Sequence, residues 1–517
     1  MGTSKTIAKN TLFNFIANAS DLVINMVVGI VLARGLGPEQ YGLYSLLIWF
    51  LYFASLVVNL GLGDMMTRYV AEAQGKQRMD DTQGLIRLGL SLRVLVTAAA
   101  ILVIIVFSRF WAGLFGEPDN QIYFVVVAFM LLPNVLNLVL IRIFAGFQKY
   151  EYGAYVILGT NPLRLALVVV LMIVGLGLME VLILSAAVWV LGVFIGVFLL
   201  RRLIPLKSLF SSSTLSAVIQ KRAMRYALAM AGIEAINYFV YQQGSVFFVG
   251  LYCPVEQVGF YTIASKLPGA TMLLVPSVFG AVLLPTIAEQ FGRGDMEKLR
   301  KIYITSARYI TMLAFPLAMG GIALAGPIIH FLYGADYAPA IFLMQFLFIP
   351  FALGSINRAA SSVIFGVNEP SFILKVGAFL ALLNIGLSWW LVQAYGTFGA
   401  AIASSVPRVL ALPFYVYFAS RKIGAMWPMR DTLKIVLASL VMGAVIFWLQ
   451  DWLGGGFISI ALGVPTGIVL YAVVLLALKA VHKHDLTTLE VVQDSLPSPI
   501  KKNSAFIINL ARRFVRV

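Results

Sequence analysis

Long apolar runs, separated by short polar segments, fill almost the whole chain. Fourteen of these runs approach or exceed the length of about 20 residues that a helix needs to cross a hydrocarbon core of about 30 Å. Their approximate bounds are 11–33, 42–63, 84–108, 121–146, 153–179, 181–200, 225–251, 258–287, 301–331, 338–366, 371–394, 397–420, 432–450 and 456–479. The ten-residue alternation of a membrane β-barrel strand is absent from them. The pattern therefore predicts an all-α polytopic membrane protein with fourteen transmembrane helices, called spans 1 to 14 below.

The composition agrees with a protein of the bilayer. Of the 517 residues, 61% are hydrophobic and 12% are charged, and the mean hydropathy is +0.92. Such a chain lacks the polar residues needed to cover a water-soluble globule. The single cysteine, Cys253, excludes an internal disulfide framework, and three scattered histidines offer no metal-ligand spacing. No metal and no other cofactor are therefore predicted.

Lysine and arginine concentrate in every second connection between the spans, and the alternate connections hold only Arg34 and Arg109. Basic connections remain on the cytoplasmic side of a membrane. Both termini are therefore predicted to be cytoplasmic, with the protein in the cell (inner or plasma) membrane. The net charge of +16 is interpreted as this bias together with attraction to anionic lipids of the bilayer, and no nucleic-acid partner is predicted.

The second half of the chain resembles the first at an offset of about 217 positions. "ARGLGPEQYGLYSLL" at 33–47 corresponds to "LYCPVEQVGFYTIAS" at 251–265, and "AEAQGK" at 71–76 corresponds to "AEQFGR" at 288–293. The offset covers six spans, an even number, so both copies keep the same membrane orientation. Two six-helix lobes related by a parallel pseudo-twofold axis are therefore expected, with spans 13 and 14 added at the C-terminal end.

The predicted organisation has five parts. They are an N-terminal lobe at 1–200, a cytoplasmic linker at 201–222, a C-terminal lobe at 223–420, spans 13 and 14 at 421–480, and a cytoplasmic tail at 481–517 that contains an amphipathic helix. Two similar lobes with a site between them at mid-depth are typical of alternating-access transporters.

Eight ionisable residues fall within the predicted spans. They are Asp21, Arg93, Arg164, Glu234, Lys266, Arg308, Arg358 and Arg408. Because the six cations outnumber the two carboxylates, ion pairing cannot neutralise the set. The six cations are therefore predicted to line a cationic cavity that binds an anionic group, since the arginine fork suits phosphate oxygens.

Alternatives remain open for individual members of this set. Arg93, Arg308 and Arg358 lie near the cytoplasmic ends of their spans and could extend to lipid headgroups instead. Asp21 and Glu234 could pair with the arginines, or one of them could bind a coupling proton or Na⁺. The sequence does not separate these roles.

Three stretches of the sequence resemble a known family. The stretches "LVINMVVGIVLARGLGPEQYGLYSLL" at 22–47, "NLGLGDMMTRYVAE" at 59–72 and "LYCPVEQVGFYTIASKL" at 251–267 are similar to the polysaccharide-transporter (Wzx-type) branch of the multidrug/oligosaccharidyl-lipid/polysaccharide exporter superfamily. The resemblance implies that a polyprenyl-(pyro)phosphate-linked oligosaccharide is translocated from the cytoplasmic to the outer leaflet. It also implies coupling to H⁺, Na⁺ or the membrane potential, and work beside a polysaccharide polymerase or glycosyltransferase.

Two other functions are alternatives to this one. The first is a multidrug or small-solute exporter of the same superfamily. The multidrug members use acidic cavities for cationic drugs, whereas the cavity predicted for this chain is cationic. A membrane-embedded polysaccharide polymerase or ligase is the second. An enzyme is not predicted, because the loops carry no nucleophile triad, paired carboxylates, nucleotide-binding motif or metal signature.

Overall fold

The computed structural model describes residues 2–205, 207, 215–239, 244–454, 456–482 and 485. For residues 2–8, 11 and 272–282 it describes the backbone alone. The amphipathic helix predicted in the tail lies outside the described residues, and the predicted linker is described only in part.

The described part of the chain is helical, with sixteen α-helices, two 3-10 turns and no β-strand. The helices of the first half are α1 Gly2–Asn59, α2 Leu62–Gly75, α3 Met79–Val106, α4 Ser108–Leu114, α5 Gln121–Gly146, α6 Tyr150–Val174, α7 Leu178–Leu200, α8 Ala217–Asn237 and α9 Gly244–Tyr252. Those of the second half are α10 Val255–Gly292, α11 Met296–Ala323, α12 Ala325–Leu332, α13 Ala340–Gly366, α14 Pro370–Ile423, α15 Met429–Trp452 and α16 Gly456–Ala477.

Every predicted span overlaps one or two of the described helices. Ten of the described helices are long and apolar enough to cross a bilayer. Two of these, α1 and α14, each contain two predicted spans, joined where Gly37 and Gly396 adopt positive φ values of 74° and 57°. Span 7 overlaps α8 and α9, and span 8 lies in α10. The prediction of an all-α protein with fourteen membrane helices is therefore confirmed.

The backbone repeats its element order in the two halves. A long helix, a short helix, a 3-10 turn and a second long helix occur as α3 to α5 and again as α11 to α13, and the first helix of each set begins at Met79 and at Met296, 217 positions apart. Left-handed residues recur in the connections at matching places. The pairs are Gln77 and Gly294, Gly116 and Gly334, Gln148 and Asn368, and Gly175 and Gly396. Since a left-handed residue ends a helix and redirects the chain, these shared turns reflect the predicted duplication.

Packing divides the described helices into two compact units, one containing 1–262 with 381–404 and the other 263–380 with 405–517. In the first unit α5 packs against α1, α2, α3 and α7, and α8 packs against α2. The core there includes Met65, Met66, Ile143 and Phe144, each with no exposed area. The predicted lobe boundaries and their pseudo-twofold relation stay predictions.

The second unit is organised around α11, which packs against α13 and α15, while α16 packs against α12 and α15. Met442 and Ile446 of α15 bury their side chains against Leu324, at the break between α11 and α12. This contact holds predicted span 13 against span 9.

Candidate functional site

One face of the second half of α1 is polar although the helix lies in a predicted span. Tyr52, Ser55 and Asn59 are spaced by three and four residues, which places them on the same side of the helix. Ser55 donates a hydrogen bond to the Oδ1 atom of Asn134 on α5 at 3.0 Å. The remaining polar groups on this face open into a cavity.

The cavity has a volume of about 410 Å³. It is lined by Tyr52, Ser55, Leu56, Asn59, Arg93, Leu138, Glu234, Asn237 and Tyr238. All nine residues belong to predicted spans 2, 3, 4 or 7, so the cavity lies at membrane depth. Its volume is within the range of about 300–1,000 Å³ typical of small-molecule sites.

Asn59 connects an acid and an arginine inside this cavity. Its Nδ2 atom donates to Glu234 of α8, and its Oδ1 atom accepts a hydrogen bond from Arg93 of α3. Arg93 is 2% exposed, and its Nε atom has no hydrogen-bond partner among the described residues. We call Glu234, Asn59 and Arg93 the Asn59 triad.

Two further charged residues lie beside the Asn59 triad. Arg142 of α5 forms an ion pair with Asp64 of α2 at 3.2 Å, and both residues lie close enough to Glu234 to interact with its carboxylate. Two arginines therefore face two carboxylates at this end of the cavity. The cationic cavity expected from the sequence stays a prediction, with acids accompanying the arginines in this part of it.

A second triad of the same composition lies between α1 and α6. Asn25 donates to Asp21 at 2.9 Å, and Arg164 donates from Nη1 to the Oδ1 atom of Asn25 at 3.0 Å. Asn161 also donates to Asp21, at 2.7 Å, and Tyr44 accepts a hydrogen bond from Arg164 at 3.2 Å. We call Asp21, Asn25 and Arg164 the Asn25 triad.

Both triads hold an intramembrane arginine through a neutral amide and not by a direct carboxylate contact. An amide can donate a hydrogen bond to an acid and accept one from an arginine at the same time. It therefore meets part of the hydrogen-bonding requirement of each group while the carboxylate and the guanidinium stay out of direct contact. The Nε atom of Arg164, like that of Arg93, is buried without a partner among the described residues. Each arginine therefore keeps a buried N–H group that the described residues leave unpaired.

Arg308, predicted to line the cationic cavity, is engaged elsewhere. It lies in the second unit, is 5% exposed, and donates to the carboxylate of Asp485 and to the carbonyl of Ala480 at 3.2 Å. Asp431 of α15 lies 3.8 Å from its Nε atom. These contacts tie the chain that follows α16 to α11 and α15, a positioning role.

The other predicted cations belong to the second unit and are not among the lining residues of the cavity given above. Arg408 is 2% exposed, and its guanidinium carbon lies 4.1 Å from the centre of the Phe351 ring. Arg358 is exposed, and Lys266 is partly buried. Of the eight predicted residues, the structure places Arg93 and Glu234 on the cavity wall, and it joins Asp21 to Arg164.

The described fold agrees with comparisons to known proteins. Residues 31–342, more than half of the chain, match the family model described as "Polysaccharide biosynthesis protein". The chain belongs to this family. This finding confirms the resemblance seen in the sequence.

Relatives of this polysaccharide biosynthesis family member include transport proteins. The chain is 23% identical over 482 residues to the succinoglycan biosynthesis transport protein ExoT of Rhizobium meliloti, a match that covers 86% of this chain and 92% of ExoT. It is 18% identical to the probable low-salt glycan biosynthesis flippase Agl15 of Haloferax volcanii, over 48% of this chain and 53% of Agl15. The match to Agl15 thus spans only about half the length of that protein.

Solved structures share the fold of this family member. The lipid II flippase MurJ in an inward-closed conformation has a TM-score of 0.71 at 16% identity, over 90% of this chain and 98% of MurJ. An inward-facing multidrug resistance MATE family transporter of the MOP superfamily has a TM-score of 0.64 at 17% identity, over 78% of this chain and 94% of that protein. At these identities the likeness concerns the fold.

Sequence reasoning missed the asparagines that connect the charged residues. It weighed only ionisable groups, whereas Asn25 and Asn59 complete both triads and Asn237 lines the cavity. A signal was present, because Asn25 follows Asp21 by four residues and Asn59 follows Ser55 by four. Amides repeated on one face of a membrane helix are costly unless they meet polar partners.

Proposed function

We propose that this protein translocates a polyprenyl-(pyro)phosphate-linked oligosaccharide from the cytoplasmic to the outer leaflet, for cell-surface polysaccharide biosynthesis. The observation that carries the proposal is the polar cavity within the predicted spans, lined by Arg93, Asn59 and Glu234. Membership of the polysaccharide biosynthesis family and the relatives named as flippases or as a transport protein support it.

Charged side chains inside a membrane are energetically costly. An ionisable side chain at the bilayer centre costs roughly 2.5–3.5 kcal/mol on insertion scales. Arg93 and Arg164 bear this cost and still hold donors with no partner in the described protein. Such groups are retained where they contact a polar substrate during transport.

The direction of transport rests on the predicted orientation. A pyrophosphate that moves outward from an inside-negative cell is assisted by the membrane potential, by about 2.3 kcal/mol per charge per 100 mV. The predicted lobes would open alternately to each side. Asp21, in the Asn25 triad, is our choice for a site of H⁺ or Na⁺ coupling, because it is a carboxylate within a predicted span that contacts amides and has no ion pair with a lysine or arginine among the described residues.

The test is a flipping assay in proteoliposomes with two substrates, a fluorescently labelled polyprenyl-pyrophosphate oligosaccharide and a cationic dye. Wild-type protein is expected to flip the lipid-linked sugar and to ignore the dye. Arg164→Ala should slow flipping, and Arg164→Lys should restore part of it because the charge is kept. Transport of the dye without the sugar would favour the alternative of a multidrug exporter.

A polymerase or ligase activity would be seen in the same vesicles. We propose transport without chemistry, so the recovered oligosaccharide should keep its length and its lipid. Longer glycans or lipid-free glycans in the product would overturn this part of the proposal. A partner polymerase or glycosyltransferase remains an expectation, to be sought by purification from the native membrane.

A further inference from the structure

The cavity beside the Asn59 triad has the chemistry of a sugar site more than that of a phosphate site. Its wall combines amides from Asn59 and Asn237, a phenol from Tyr52, and the paired charges of Arg93 and Glu234. A pyrophosphate needs an excess of positive charge at close range. Here the carboxyl groups of Glu234 and Asp64 lie beside the arginines, which reduces the positive charge available to a pyrophosphate.

The wall supplies the hydrogen-bonding groups that neutral sugars require. Each sugar hydroxyl both donates and accepts, so it pairs well with amides, with carboxylates and with arginine donors. Tyr52 is 44% exposed, and Asn237 is exposed as well, so their polar groups are accessible from the cavity. Arg93 also lines the cavity, and its guanidinium donates to Asn59 there.

Aromatic rings support the wall on one side. Trp49 and Phe53 stack in parallel with their centres 5.4 Å apart, and Phe53 packs against Tyr238 at 6.3 Å. Tyr238 itself lines the cavity. A rigid aromatic surface beside hydrogen-bonding groups accommodates the apolar face and the hydroxyl edge of a pyranose ring together.

We propose that this cavity is a glycan subsite, which binds uncharged sugar units of the cargo through Asn59, Asn237, Glu234 and Arg93 and does not bind its pyrophosphate. The inference rests on the proposed flippase function and refines it. It makes the cavity a determinant of which oligosaccharide is carried, while phosphate recognition is left to other groups. The amides and the carboxylate of the wall would distinguish sugars by the positions of their hydroxyls.

The experiment separates sugar from phosphate with two probes on the full-length protein in detergent. The first is the phosphate-free oligosaccharide that mild acid releases from the lipid-linked pool of the native cell. The second is sugar-free polyprenyl pyrophosphate. Binding of each is measured by titration of intrinsic tryptophan fluorescence, since Trp49 lies in the aromatic cluster beside the cavity.

Asn237→Ala is the main variant, because its side chain is exposed and its loss leaves no buried group unpaired. We expect about a fivefold weaker Kd for the free oligosaccharide, the effect of one lost hydrogen bond, and no change for polyprenyl pyrophosphate. Gln393→Ala is the matched control. It removes an exposed amide of α14 that is not part of the cavity wall, and it should change neither affinity.

The outcomes distinguish this inference from the proposed function. If the wild-type protein flips the intact substrate but does not bind the free oligosaccharide, the subsite is wrong and the flippase function stands. The subsite is also wrong if Asn237→Ala weakens polyprenyl pyrophosphate and spares the oligosaccharide. Binding of the oligosaccharide without any flipping of the intact substrate would support the sugar site and overturn the transport proposal.

Discussion

Arg164 reaches Asn25 from the neighbouring helix and donates a hydrogen bond to its Oδ1 atom at 3.0 Å. Because Asn25 also donates to Asp21 at 2.9 Å, the amide stands between an acid and an arginine. Asn59 stands in the same way between Glu234 and Arg93. In both places the asparagine holds the arginine in position, and the acid of the triad does not pair with the guanidinium directly.

The first prediction tests this arrangement with Asn25→Asp. The new carboxylate would form a direct ion pair with Arg164 and would lie beside Asp21, so the arginine would be neutralised. Transport should slow by about tenfold, equivalent to about 1.4 kcal/mol on the barrier. Part of the activity should return at lower pH, where a carboxylate of the pair protonates.

Flipping rates in proteoliposomes between pH 5 and 8 provide the measurement. Asn25→Ser is the control, because it removes the connecting amide without adding charge. If Asn25→Asp transports as fast as the wild-type protein at neutral pH, the availability of Arg164 does not matter.

The second prediction concerns the close approach of α8 to the start of α2. Gly61 has a φ of 66°, and a Cβ atom there would overlap the carbonyl oxygen of Ala227 and lie 2.7 Å from the backbone nitrogen of Ala231. Gly61→Val should therefore lower the melting temperature in detergent markedly. The left-handed backbone alone costs a side chain roughly 1–2 kcal/mol, and the overlap adds to it.

Gly113→Ala is the matched control for this substitution. A Cβ atom at Gly113 meets nothing within 4 Å, and the residue lies inside α4. Its melting temperature should stay the same or rise slightly, since alanine is favoured over glycine in a helix by roughly 0.5–1 kcal/mol. Equal loss in both variants would show that crowding at Gly61 is not the cause.

The third prediction is a pH dependence of stability at Asp485. Burial raises the pKa of this carboxyl, but hydrogen bonds from the His482 backbone, Arg308 and Tyr309 outweigh it, and the pKa lies below its ordinary value. A depressed carboxyl pKa contributes stability that is present above the unfolded-state pKa of about 3.9 and is lost as the pH falls through the folded-state value.

Melting temperatures should therefore fall for the wild-type protein as the pH is lowered from about 5 toward 3, and the slope should be shallower in Asp485→Asn. Asp119→Asn, at an exposed carboxylate, should keep the wild-type slope. Parallel curves for the wild-type protein and Asp485→Asn would mean that Asp485 does not contribute to the acid-induced loss.

The fourth prediction separates two roles for Arg408. Its guanidinium carbon lies 4.1 Å from the centre of the Phe351 ring, a contact worth roughly 0.5–2 kcal/mol. If this packing is its role, Arg408→Ala and Phe351→Leu should lower the melting temperature by similar amounts, and the double variant should lose less than the sum of the two. Slower flipping in Arg408→Ala with an unchanged melting temperature would instead support the cationic cavity expected from the sequence.

The spans could be predicted because a membrane helix is specified locally. A run of about 20 apolar residues must hide its backbone polar groups within itself, so its length and position are readable without knowing its neighbours. The duplication was readable for a related reason. Glycine recurs at turns such as Gly116 and Gly334 because each turn ends a helix with a residue of positive φ.

The role of each buried charged residue could not be predicted from the local sequence. Arg93, Arg164 and Arg308 are equivalent in sequence as arginines within apolar runs. Tertiary structure assigns Arg308 to Asp485, 177 positions away, and places the other two on asparagines of α1. Pairing across such separations depends on which helices become neighbours, which the local pattern does not contain.

The sequence by itself determined the membrane class and the number of helices, because both depend on the free energy of transferring a segment from water to lipid. It determined the internal repeat because matching turn residues recur at an offset of about 217 positions. Only the tertiary structure decided that carboxyl groups lie beside the arginines around the cavity and that amides stand between them. The physical reason is that a charge in a low-dielectric interior is governed by the few groups within hydrogen-bond distance, and folding alone brings those groups together.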